Sequence, residues 1–206
     1  MLGVSVLPFT WITSDYHFGH GNIARYCGRP VVKREYLNED GAFKSQEAAV
    51  QCAEEMNLWL ILRWNARVKE GDVVYHLGDF VNYGANRKTA GCKSKPEQYE
   101  GMLNGKIIHV LGNHDLNNGV KGALSSAVFR HGGVRMLMRH LPSDDAQGCD
   151  FVACGHVHNS WKQLWIGGVL NINVGVDARN WYPMRADELV GMYHKITRTE
   201  GLTLKQ

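Results

Sequence analysis

Short runs of apolar and β-branched residues recur along the chain, and most of them stop at a glycine followed by polar residues. "FTWIT" runs into "SDYHFGH", "DVVYHL" into "GDF", "KIIHVL" into "GNHD" and "DFVAC" into "GHVHN", while "VRMLM" ends at "RHLP". Four to six such residues closed by turn chemistry read as buried strands. The same pattern offers strands at 169–174 ("VLNINV") and 188–193 ("ELVGMY"). Between the first two units the period changes. Residues 46–68 contain no Gly or Pro, and Ala49, Cys52/Ala53, Met56, Trp59/Leu60 and Arg63/Trp64 recur at helical spacing. Ser45 is placed to cap this helix and Gly71 lies just past its end. Shorter helices are expected at 95–103 and 122–131, and polar loops at 28–45 and 83–96. Alternating strands and helices indicate a layered α/β sandwich, in which loops at strand ends gather on one rim.

Composition narrows the class without naming a partner. At 206 residues, with no composition break, the chain is expected to form one domain, 1–206. A net charge of +3 permits phosphate-bearing ligands but is not the footprint of a dedicated DNA binder. The basic runs "VKREY" and "RKTAGCKSK" read as solvated loops. Five cysteines without a CxxC pair argue against a disulfide framework and against a thiolate zinc site, and they suit a reducing cytoplasm. No run approaches the roughly 18 apolar residues that span a bilayer, and no membrane partner is expected.

The strand ends carry the chemistry. The first offers Asp15 and His17, the second Asp79, the third Asn113, His114 and Asp115, the fourth His140, and the fifth His156 and His158. All are oxygen or imidazole donors, a set suited to Mn, Fe, Zn, Ni or Mg rather than to a sulfur-rich structural site. Single polar residues populate turns by chance; nine donors at five successive strand ends do not.

In the order D-x-H, GD, GNHD, H-x-P, GH-x-H, the motifs "DYH", "GDF", "GNHD", "HLP" and "GHVH" resemble the calcineurin-like metallophosphoesterase superfamily, in particular a small bacterial and phage branch. The resemblance implies an α/β/β/α sandwich and two divalent cations, manganese foremost. Carried over by motif, Asp15, His17 and His158 hold the first cation, Asn113, His140 and His156 the second, and Asp79 bridges them. Two such cations share a hydroxide and clamp a phosphoryl group for in-line attack. The resemblance makes His114 the catalytic group that meets the phosphate and protonates the leaving oxygen, with Asp115 orienting it.

Other positions stay open. His20 and Asn22 are turn residues or helpers of the site; His76 and His109 read as core histidines. Trp161, Trp165, Trp181 and Tyr182 are core or a stacking wall for a nucleobase, and Arg25 and Arg179 are surface residues or phosphate contacts. The expected activity is hydrolysis of a phosphomonoester or phosphodiester, with a small nucleotide favoured as substrate. A nuclease is disfavoured by the modest charge. A retired fold acting as a protein-binding scaffold is disfavoured because His114 and Asp79 are both present.

Overall fold

The computed structural model describes residues 9–82, 95–122 and 124–203. Most of the loop expected at 83–96 and of the basic run at 87–95 lies outside the described residues, as does Cys92. Two mixed sheets form the centre. The first contains β1 (Thr10–Thr13), β2 (Val73–His76), β3 (Lys106–His109) and β9 (Met184–Arg185) in the order β3-β2-β1-β9. The second contains β4 (Ser126–His131), β5 (Val134–Arg139), β6 (Phe151–Cys154), β7 (Gln163–Ile166) and β8 (Val169–Asn173) in the order β4-β5-β6-β8-β7. Strands β1, β2 and β3 run parallel, as do β5, β6 and β8. The helices are α1 (Gly21–Tyr26), α2 (Gln46–Arg67), α3 (Pro96–Glu100) and α4 (Ala186–Thr203).

Alternation along each strand sends side chains to two different cores. Ile12, Leu77 and Val110 meet Met136, Met138, Phe151, Ala153, Leu170 and Ile172 between the sheets. Trp11 and Val74 point the other way, onto Cys52, Met56, Leu60 and Trp64 of α2. That helix forms where the sequence places it. The Ser45 hydroxyl accepts from the Ala48 amide at 3.2 Å, which satisfies one open donor of the first turn. Among the described residues the expectation of a layered α/β sandwich holds, with two mixed sheets and four helices.

Two elements differ from expectation. Residues 188–193 are helical, inside α4, where Leu189, Val190, Met192, Tyr193 and Ile196 pack into the core between the sheets. Their i, i+1, i+3, i+4, i+7 spacing is a helical stripe that a six-residue window cannot distinguish from a strand. The helix expected at 122–131 is instead β4, which pairs antiparallel with β5 from Ser126↔Arg139 to His131↔Val134. Ala127 and Phe129 face the core while Val128 is exposed, a period of two.

The outer face of the second sheet is closed differently. Leu137, Val152 and Cys154 are covered by Ala146, Cys149 and Trp161 from loops. Two buried asparagines on β8 hold that cover down. Asn171 exchanges hydrogen bonds with the backbone of Ser143, and Asn173 donates to the carbonyls of His158 and Trp161 at 2.7 and 2.8 Å.

Candidate metal centre

Every donor singled out above follows the C-terminal end of a strand that pairs in parallel within its sheet. They converge as two groups. Ligand atoms of Asp15, His17 and His158 lie within 4.8 Å of one another, and so do those of Asp79, His140 and His156. Asp79 joins the groups: its Oδ2 is 3.5 Å from His17 Nε2 and 3.5 Å from His140 Nε2. Asn113 belongs with the second group, since its Oδ1 lies 2.9 Å from His140 Nε2.

Hydrogen bonds behind the rings fix which nitrogen is free. His140 Nδ1 donates to the Leu77 carbonyl at 2.8 Å, leaving Nε2 with its lone pair toward Asn113 Oδ1. Two acceptors facing at that distance need a cation or a proton between them. His158 Nδ1 lies 2.9 Å from Asp177 Oδ2, which directs its other nitrogen into the site. His17 Nε2 is buried and has no hydrogen-bond partner. An orphaned ring nitrogen beside two buried carboxylates, Asp15 and Asp79, is the surrounding a divalent cation completes. The residues fit two such ions.

The electrostatics agree. Burial pushes the Asp15 carboxyl up to about 6. Burial also holds His17 well below its usual value and, with His140 nearby, lowers His156, so both are neutral and able to ligate. Burial alone would depress His158, but the hydrogen bond it donates to Asp177, aided by Cys27 and Asp15, outweighs it and raises the imidazole to about 10.

The backbone is strained where the donors sit. Among the described residues, eight other than glycine have positive φ, and five of them are Asp15 (62°), His17 (49°), Asp79 (57°), His156 (71°) and His158 (48°). Left-handed backbone costs non-glycine residues about 1–2 kcal/mol each, and it concentrates where geometry is imposed by the surroundings. Two glycines permit the approach. A Cβ at Gly112 would collide with Asp79 Oδ1, and one at Gly155 with the side chains of Ser14 and Asp15. The His156 amide donates to both Asp15 oxygens at 3.0 Å. Helix α2 secures the first loop, because Asn57 Oδ1 accepts from the Gly19 amide at 2.8 Å.

His114 stands at the mouth. Its side chain is 58% exposed, its Nε2 is 4.0 Å from Asp79 Oδ2, and its ring is 5.9 Å from that of His17. The expectation that Asp115 orients this ring does not hold. Asp115 is fully buried, and its carboxylate accepts from the amides of Gly112, Asp79 and Phe80 at 2.7, 2.9 and 2.9 Å. It clamps the loop after β3 to the loop after β2.

Several of the open positions make structural contacts. His20 caps α1, its Nδ1 accepting from the Ile23 amide at 3.0 Å; burial lowers it to about 4, so it is neutral. His76 and His109 are buried on the helix side of the first sheet, and His109 Nε2 lies 2.9 Å from Glu100. Arg25 donates to the Gly41 carbonyl, and Arg179 to the carbonyls of Asn173 and Lys162. Trp181 packs on Trp59 of α2, and Arg63 lies over the Tyr182 ring.

Sequence reasoning missed two residues. Arg29 is 1% exposed, and it forms a two-pronged ion pair with Asp177, at 2.8 and 3.0 Å. Burial would raise the Asp177 carboxyl, but Arg29 and His158 hold it at about 2. The two residues are 148 positions apart, so no local signal links them. A third cluster, Cys27–His158–Asp177, also has ligand atoms within 4.8 Å. It is a poor cation site, because the Arg29 guanidinium already occupies both Asp177 oxygens.

The comparisons with known proteins agree with this architecture. A family model described as calcineurin-like phosphoesterase matches residues 10–145. An uncharacterised protein of Methanocaldococcus jannaschii is 30% identical over 193 residues, spanning 90% of this chain and 91% of the relative. Among solved structures, a protein of unknown function from Aquifex aeolicus superposes with a TM-score of 0.58 at 22% identity, covering 90% of this chain and 99% of that one. An archaeal phosphodiesterase gives a TM-score of 0.34 at 17% identity, over 81% of this chain and 82% of its own.

Proposed function

Because the chain belongs to the calcineurin-like phosphoesterase family, we propose that it is a metal-dependent hydrolase that cleaves phosphoesters at a two-cation centre. Asp15, His17 and His158 would hold one cation, Asn113, His140 and His156 the other, with Asp79 available to both. One observation carries this reading: a single carboxylate oxygen, Asp79 Oδ2, is 3.5 Å from a free imidazole nitrogen of each group. When bound, the two cations supply a hydroxide-level nucleophile near neutral pH and neutralise phosphoryl charge.

The protein's own groups do the rest. Asp79 Oδ1 accepts from the His114 amide at 3.1 Å, which fixes the start of the His114 side chain relative to the shared carboxylate. From there the exposed ring reaches an incoming ester and delivers a proton to the departing oxygen. His20 faces the ring of His17 at 5.9 Å, neutral and with Nδ1 already bonded, so its Nε2–H is free to donate to phosphate oxygens. The modest net charge and the exposed His114 ring support a small phosphomonoester or phosphodiester, nucleotides first, and the mixed oxygen and imidazole donor set accepts manganese as the working cation.

The test is hydrolysis of chromogenic phosphomonoesters and phosphodiesters by protein loaded with Mn²⁺. His114→Ala is expected to lose about 10²–10⁴-fold in turnover, the usual weight of a general acid, while binding the same amount of metal. Inactivity on both ester types with Mn²⁺, Fe²⁺, Zn²⁺, Ni²⁺ and Mg²⁺ overturns the proposal.

A further inference from the structure

The buried guanidinium of Arg29 is joined to one half of the centre and not to the other. It uses all five of its N–H groups. Nε and one N–H of Nη2 pair with Asp177, and the second N–H of Nη2 donates to the Asp15 carbonyl at 2.9 Å. Nη1 donates to the Tyr16 carbonyl at 2.9 Å and meets Met56 Sδ at 3.1 Å. Four of the five contacts lead to a donor of the first cation, and the fifth ties the guanidinium to Met56 of α2. The Asp15 and Tyr16 carbonyls belong to the segment in which Asp15 and His17 take left-handed backbone, at φ 62° and 49°. Asp177 in turn holds His158 Nδ1 at 2.9 Å. Asp15, His17 and His158 are therefore set by one side chain drawn from a different loop.

The second group has other supports. His140 is held by the Leu77 carbonyl, and the Asp79 backbone by Asp115. No hydrogen bond of Arg29 reaches Asp79, Asn113, His140 or His156.

We infer that Arg29, acting partly through Asp177, is a positioning residue for the first cation site alone, so that its removal weakens binding there and leaves the second site loaded. This rests on the two-cation reading above. The physical basis is geometric. A planar fork with five donors can satisfy two carbonyls and a carboxylate at once, whereas an ammonium offers three donors from one point. Without the fork, two carbonyls beside strained residues lose their partners, and His158 loses the carboxylate that selects its tautomer.

The experiment uses the full chain, stripped of metal and titrated with Mn²⁺. Calorimetry and elemental analysis give stoichiometry and affinity, and electron paramagnetic resonance reports whether two manganese ions are coupled. The wild type is expected to bind two coupled ions. Arg29→Ala and Arg29→Lys are expected to weaken one site by roughly 10–100-fold, the usual weight of a partner behind a ligand, and to show an uncoupled signal from the other. Asp177→Asn, which keeps the guanidinium bonds to Asp15 and Tyr16, is expected to do the same to a smaller degree. If Arg29→Ala does not fold, Asp177→Asn and Arg29→Lys decide. Two unchanged sites, or two sites weakened equally, overturn the inference while the two-cation reading stands. A wild type binding fewer than two ions overturns both, and it is recognised before any variant is measured.

Discussion

Replacing Asp115 separates a clamp from a partner of His114. Its Oδ2 accepts from the amides of Gly112 and Asp79 and its Oδ1 from that of Phe80; the bonds to Asp79 and Phe80 are buried and the one to Gly112 is half-buried. Asp115→Ala strands two buried donors and one half-buried donor. A buried donor without a partner costs about 1–3 kcal/mol. Simple addition gives about 3–9 kcal/mol, and relaxation with water entering the vacated volume brings the expected loss to about 3–5 kcal/mol, the range of severe substitutions. Asp115→Asn keeps an oxygen for two of the amides but turns an NH₂ toward the third, for a loss of about 2–3 kcal/mol. Urea unfolding of metal-free protein at neutral pH measures this without any contribution from cation affinity. A loss below about 1 kcal/mol for Asp115→Ala at unchanged m value refutes the reasoning, and so does an Asn variant less stable than the Ala one. A variant of native stability whose only change is the pH profile of turnover returns Asp115 to the role of orienting His114.

Gly155→Ala is expected to abolish loading of the first cation, because the new methyl collides with Ser14 and Asp15; full stoichiometry by elemental analysis contradicts this. Asp72 gives a pH prediction away from the centre. Burial would raise its carboxyl, but the amides of Lys69 and Phe9 and the Trp11 indole bond to it and hold it below its usual value. A depressed folded pKa stabilises fully above the unfolded value, about 3.9, and that stabilisation is lost as pH falls below it. The stability gap between wild type and Asp72→Asn is therefore constant above about pH 5 and shrinks toward pH 3; a gap that widens on acidification contradicts the assignment.

Much of this was legible in the sequence because it is local. Six strands follow from short apolar runs closed by turn residues and the long helix from a helical period with a serine cap, and the donors sit where five of those strands must stop. The convergence of Asp15, Asp79, Asn113, His140, His156 and His158 needed only the rule that parallel strand ends share a rim, together with the motif resemblance. What escaped is nonlocal. Asp115 lies next to His114 in sequence but spends its oxygens on amides of two different loops. Arg29 meets Asp177 across most of the chain. The ambiguity between helix and strand at 188–193 came from a window too short to show the stripe that continues to Ile196.

The left-handed backbone at Asp15, His17, Asp79, His156 and His158 also sets a direction for drift. Glycine at any of these positions would remove a ligand and release torsional strain in the same step. A library screened only for yield and thermal tolerance would shed its metal-binding residues first at these five places and keep the sandwich. On the proposed function, selection for phosphoester hydrolysis would oppose this slide, so the ligands and the strained backbone that carries them would persist or vanish together.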